Sequence, residues 1–196
     1  MTPRTFLFIG RSGCGKGTQA KLLMDALKVN DPKSNSVYIQ TGNELRNFIK
    51  GDTYTQKLAK NVYDDGGLMP EFLTVYEWSK VLIERFSGRE HLIFDGSPRR
   101  LHEAGVLHSI FGFFKLNKPC VILIDLDRDV AIKRLLDRKR LDDNKDDIEE
   151  RMAWFETDVM PAINFYRDNT FYDFLVVDGN RSIEDIHADI VSKVGF

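Results

Sequence analysis

The chain has 196 residues and 42% hydrophobic content, enough to bury one full core and too apolar for a disordered or purely solvating polypeptide. Its 28 basic and 30 acidic side chains leave a net charge of −2, so no bulk field draws it to nucleic acid or an anionic membrane. Only two cysteines occur, which excludes a disulfide framework and fits a reducing, cytoplasmic setting. The opening residues carry too short an apolar stretch for a signal peptide, and no later run is long enough to span a bilayer. A single domain over residues 1–196 is expected, with neither nucleic acid nor membrane as partner.

In chain order, residues 6–9 read as a buried strand. They run into Gly10-Arg11-Ser12-Gly13-Cys14-Gly15-Lys16-Gly17-Thr18, after which a helical pattern begins. Strand, glycine-rich loop and helix start together make a phosphate cradle. Glycines let backbone N–H groups turn inward, the helix start adds partial positive charge, and Lys16 can reach the outer phosphates of ATP or GTP. The hydroxyl arrives at Thr18, one place later than in the generic loop, because Gly17 follows Lys16 directly.

A polar turn over residues 30–36 leads to a second strand at 37–40. Residues 71–86 then read as a helix with Phe72, Val75, Tyr76, Leu82, Ile83 and Phe86 along its inner side and Lys80 and Glu84 on the wetter one. The third strand, His91–Asp95, ends in Asp95-Gly96-Ser97-Pro98-Arg99. An acid at a strand end before a glycine and a proline-fixed turn lies near the phosphate loop, where it can hold magnesium directly or through water. Strands at 120–126 and 174–178 complete the set, and Ser182 with Asp185 marks the start of the last helix. Alternating strands and helices predict an α/β fold: a parallel sheet covered on both faces, with ligands at the carboxyl ends of the strands.

Between the last two strands lie Arg134, Arg138, Arg140 and Arg151. Guanidinium groups grip phosphate oxygens in pairs and suit a transferring phosphoryl group, whereas Lys145, Asp146, Asp147, Glu149 and Glu150 read as a solvated face. The four histidines have no metal-ligand spacing and are expected in packing or surface roles. Trp78 and Trp154 are expected to pack in the core or a groove.

Taken together, these stretches resemble the nucleoside monophosphate kinases, most closely the adenylate kinases. The resemblance is carried by the loop from Gly10 to Gln19, Thr41-Gly-x-x-Leu-Arg46, Asp65-Gly-x-Leu-x-Pro70, Phe94-Asp-Gly-x-Pro-Arg99, the arginine series and Val177-Asp-Gly179. It implies a P-loop NTPase three-layer fold with a five-stranded parallel sheet, a flap over the acceptor at 41–70 and a lid over the donor; here the lid, at 134–143, departs from the family in being very short, since only Lys139 separates Arg138 from Arg140.

By the same resemblance, Gly13, Cys14, Gly15, Lys16, Gly17 and Thr18 cradle the phosphates of ATP. Arg134 and Arg138 reach that donor, and Gly179, Asn180 and Arg181 line its base. Thr41, Arg46, Gly67, Leu68, Met69, Gly96, Ser97, Pro98, Arg99, Arg140 and Arg151 surround AMP. Lys16, Arg99, Arg134, Arg138, Arg140 and Arg151 form the catalytic set, Asp95 orders the water around Mg2+, no zinc is expected, and the default is a monomer.

Three departures bear on the acceptor. Glu103 stands where the family has a glutamine that reads adenine; a carboxylate accepts hydrogen bonds but cannot donate one to ring nitrogen N1. GMP, IMP or a deoxy acceptor is therefore the alternative to AMP. Thr41 weighs against UMP and CMP, Ser97 replaces an aromatic residue and Asn43 replaces an acid. The rival classes are a nucleotide-binding switch, which does not need a second phosphate site, and a small-metabolite kinase, which keeps the donor residues and changes the acceptor set.

Overall fold

The computed structural model describes residues 2–138 and 144–195. Five strands pair in parallel among these residues: β1 (Thr5–Ile9), β2 (Ser36–Gln40), β3 (His91–Asp95), β4 (Cys120–Asp125) and β5 (Asp173–Asp178), in the spatial order β2-β3-β1-β4-β5. The expected strands are all present, their ends moved by one residue at most. They were legible because strands covered on both faces become short continuous apolar runs.

Side-chain alternation splits the strands between two cores. Phe6, Phe8, Ile93, Ile122 and Ile124 face one layer, formed largely by α1 (Lys16–Asn30), α6 (Arg128–Arg138) and α9 (Ile183–Val194). Leu7, Ile9, Leu92, Phe94, Val121 and Leu123 face the other, formed largely by α4 (Glu71–Arg85), α5 (Leu101–Phe113) and α8 (Met160–Arg167). Each face of the sheet is thus sealed by helices, and the polar loops are left at its two ends.

A third, small cluster lies outside these layers. Helices α2 (Thr41–Phe48) and α3 (Tyr54–Asp64) contribute Leu45, Phe48, Ile49, Ala59, Val62 and Tyr63 around Met69 and Leu73. Thr53 caps α3: its hydroxyl accepts from the Gln56 N–H while the Gln56 side chain accepts from the Thr53 N–H. Residues 41–70 therefore carry their own helix signals and packing, joined to the body through α4.

The inward face of α4 matches the expected one in part: Leu82 is buried and Val75 and Phe86 pack against the core. Phe72, Tyr76 and Ile83 are exposed, whereas Leu73, Thr74, Glu77, Trp78, Val81 and Leu82 are buried. The helix is turned so that Trp78 fills the core, and one of its inward positions is polar. Counting apolar residues gave Glu77 no inward role, although it faces the side where α2 packs. Burial raises the Glu77 carboxyl above its ordinary value, and Glu44 on α2 adds to the shift while Lys80 opposes it.

Helix α7 (Lys145–Trp154) runs into a π-helical turn, Phe155–Val159, before α8. The cause is local. Pro161 in the first turn of α8 has no N–H to give back and its ring crowds the preceding turn, so the helix widens by a residue. Among the described residues no helix is long and apolar enough to cross a membrane.

Candidate active site

At the carboxyl ends of the strands lies an open cleft of about 750 Å3. Gly15 ends the phosphate loop in a left-handed conformation and α1 starts with no side-chain cap, so the first N–H groups of the helix remain available to an anion. Lys16 folds back over its loop: Nζ donates to the Gly10 carbonyl at 2.8 Å, to the Arg11 carbonyl at 3.0 Å and to Cys14 Sγ at 3.6 Å.

Strand register brings Asp95 to this loop. Gln40 of β2 lies beside Asp95 of β3, and Tyr38, two residues earlier, shares its face. Tyr38 Oη and Gln40 Nε2 both donate to Asp95 Oδ2, at 2.7 and 2.9 Å. Burial, then the Asp95 charge and its hydrogen bond, push the Tyr38 hydroxyl well above its ordinary pKa, so it remains a donor. A Cβ at position 17 would sit 3.0 Å from that same Asp95 oxygen, 3.4 Å from Gln40 Nε2 and 3.7 Å from the Tyr38 hydroxyl. Gly17 thus follows Lys16 because α1 packs against the carboxylate and the two donors that hold it.

Of the residues expected at the donor, Gly13 through Thr18, Arg134, Arg138 and Arg181 line the cleft. Arg134 and Arg138 are one helical turn apart on α6 and so share a face. Gly179 and Asn180 are not part of this wall. The Gly179 N–H donates to Asp125 O at 2.6 Å, and the Asn180 N–H to Asp178 Oδ1 at 2.9 Å, which positions the turn that presents Arg181.

Of those expected at the acceptor, Thr41, Arg46, Gly67, Leu68, Met69, Gly96, Ser97, Arg99, Glu103 and Arg151 line the same cleft. Pro98 lines a small adjoining pocket with Lys16, Arg99 and Arg151. Arg140, and residues 139–143 of the expected lid, lie outside the described residues.

The end of the cleft lined by Thr41, Ser97, Arg99 and Glu103 is polar and cationic. The hydroxyls of Thr41 and Ser97 are buried with no partner among the described residues. Burial lowers the Arg99 guanidinium below its ordinary range, with Glu103 opposing the shift and Arg151 adding to it; Nε donates to Gly96 O at 3.2 Å. Glu103, at the third position of α5, accepts from the Arg99 N–H at 2.8 Å. Its carboxyl is raised above the ordinary 4.5 chiefly by burial, against the Arg99 N–H and the Arg99 charge.

Sequence reasoning gave no role to Tyr38, Gln40, Thr74 or Arg11. The first two were detectable as polar residues alternating at the end of a strand. Trp154, expected to pack in the core or a groove, stands on the cleft wall. Its signal was the i, i+3 spacing from Arg151.

A glycine-rich phosphate loop at a sheet end, facing a second cationic site across one cleft, defines a phosphotransferase of the P-loop class. The comparisons narrow that class. The adenylate kinase family model matches residues 8–171. The chain is similar to "Adenylate kinase 1" of Nostoc sp., 30% identical over 96% of this chain and 97% of that one. The adenylate kinase of Corynebacterium diphtheriae is 31% identical over 96% and 98%, and that of Prochlorococcus marinus subsp. pastoris 33% over 96% of both chains. The chain belongs to the adenylate kinase family. It is a nucleoside monophosphate kinase whose reaction moves a phosphoryl group from ATP to AMP.

Proposed function

We propose that ATP lies along the loop from Gly13 to Thr18 and α6, and AMP at the end lined by Thr41, Arg46, Gly96, Arg99, Glu103 and Arg151. The observation that carries this is the convergence of Lys16, Asp95, Arg99, Arg134, Arg138 and Arg151, from separate stretches of chain, on one cleft. Lys16 then leaves the carbonyls of Gly10 and Arg11 for the donor phosphates. An AMP phosphate oxygen attacks the terminal phosphorus of ATP, the bond from that phosphorus to the bridging oxygen breaks, and ADP remains on each side. No enzyme residue becomes covalently modified; the cleft contributes alignment and charge. Arg140 and a lid over 134–143, with a flap over 41–70, complete this reading.

The residues suit magnesium. One carboxylate, held through Oδ2 by Tyr38 and Gln40, is what an ion that keeps most of its water needs beside a nucleotide. Asp95 would hold it through water, and the ion when bound would offset charge on the donor phosphates. One chain supplies both ends of the cleft, which supports a monomer, and the two free, buried cysteines support a reducing cytoplasm.

ADP formation from MgATP measured with AMP, dAMP, GMP, IMP, UMP and CMP, plus a control without acceptor, tests the assignment. AMP is expected to be preferred. Preference for GMP or IMP would make Glu103 the selector of another base, and turnover in the control alone would indicate a hydrolase or switch.

Glu103 gives a pH prediction. Its raised carboxyl binds its proton more tightly in the folded chain than in the unfolded one, so stability falls as pH rises from the ordinary 4.5 through the folded value. Glu103→Gln is expected to raise Tm above that window and to leave it unchanged below. It also restores a donor toward adenine N1, worth roughly 1–3 kcal/mol, or about 5- to 150-fold in kcat/KM for AMP at neutral pH. A gain that does not shrink as pH falls would show that protonation of Glu103 is not involved.

A further inference from the structure

Arg11, inside the phosphate loop, does not point into the cleft. Its guanidinium lies 4.0 Å from the centre of the Phe155 ring, Nη1 donates to Glu156 Oε1 at 3.0 Å and Nε to Leu126 O at 3.3 Å. Phe155 and Glu156 open the π-turn that follows α7. The Arg11 side chain is mostly buried, at 14% exposure, so its stacking on Phe155 is a packed contact, whereas the carboxylate of Glu156 that it pairs with is exposed. The same turn is held from the acceptor side. Arg100 Nε donates to Asp158 Oδ1 at 3.1 Å and Arg100 Nη1 to Met69 O at 3.2 Å, which ties the turn to the chain leading out of residues 41–70.

A π-turn carries one residue more than the α-helical ladder; Pro161 sets where it falls, and side-chain contacts from neighbouring elements hold it in place. Register matters here because Arg151 and Trp154 lie one turn before it, at positions i−4 and i−1 from Phe155. The consequence is visible in the small pocket where Lys16, Arg99, Arg151 and Phe155 meet. We propose that Arg11 is a positioning residue: by clamping the phosphate loop to the π-turn, it fixes where α7 delivers Arg151 opposite Lys16. Arg100 holds the same turn from the acceptor side, so one helical irregularity joins both phosphate-binding ends.

The inference rests on the proposed role of Arg151, and the test separates the two. Arg11→Met keeps an unbranched side chain over Phe155 while removing the charge. It is expected to lower kcat about tenfold or more, with Tm and the Kd of a non-hydrolysable ATP analogue nearly unchanged, and Arg11→Lys is expected to restore part of the loss. In an Arg151→Ala background, Arg11→Met is expected to cost little more, because the residue it positions is gone. Equal losses in both backgrounds, or an unchanged kcat, would overturn the clamp. Near-normal turnover in Arg151→Ala alone would instead overturn the role of Arg151. Should Arg11→Met fail to fold, Glu156→Ala removes only the exposed partner, and its smaller loss in kcat must likewise vanish in the Arg151→Ala background.

Discussion

Arg151→Ala and Arg138→Ala are each expected to lower turnover by roughly a thousandfold, the scale set by an arginine acting on the charge of a phosphoryl-transfer transition state. Both side chains line the cleft, one from α7 and one from the end of α6, so they approach the reacting phosphates from different elements. Neither lies fully buried, and exposed ion pairs contribute about 1 kcal/mol or less, so Tm should move little. Circular dichroism melting beside steady-state kinetics checks both parts. Turnover near normal in both variants would mean that these guanidiniums serve a solvated helix face and not the reaction. Lysine in their place should recover little, since a point charge cannot grip two oxygens in a plane.

Gly17→Ala is the second large effect, and its two readouts are expected to part. The position is in the first turn of α1, where replacing glycine by alanine favours the helix by up to about 1 kcal/mol. The added Cβ, however, meets Asp95 Oδ2 at 3.0 Å, with Gln40 Nε2 and the Tyr38 hydroxyl just beyond. These groups are hydrogen-bonded to one another and cannot swing away singly, so the carboxylate must shift as a unit with its donors. Turnover is expected to fall by up to about a hundredfold, since misplacement of a site group by about 1 Å can cost that much. Tm should be unchanged or slightly raised. The magnesium concentration at half-maximal rate should rise, because Asp95 is the group displaced. A parallel loss of Tm and turnover would assign Gly17 to packing alone.

Much of this is legible in the sequence. The five strands of the parallel sheet are short apolar runs because helices cover both faces, and the phosphate loop is recognisable because its chemistry needs glycine, lysine and hydroxyl at fixed spacing. Ser182 caps α9 as expected, its hydroxyl accepting from the Asp185 N–H at 3.1 Å. Such features are local in sequence, so local reading finds them. The arginines were weaker: in α6 and α7 they share their helices with many other charges, and only the cleft distinguishes Arg134, Arg138 and Arg151 from their neighbours.

What the sequence determined by itself is therefore the sheet, the phosphate loop and the family, each set by residues within a few positions of one another or by an ordered series of such motifs. The tertiary structure decided the rest. The rotation of α4 depended on which side Trp78 could fill, and the holding of Asp95 by Tyr38 and Gln40 depended on the register between β2 and β3. The clamp from Arg11 to Phe155 and Glu156 spans a separation of 145 residues in its ion pair. Contacts of that range follow from how the layers pack, and propensity and periodicity, which act along the chain, carry no record of them.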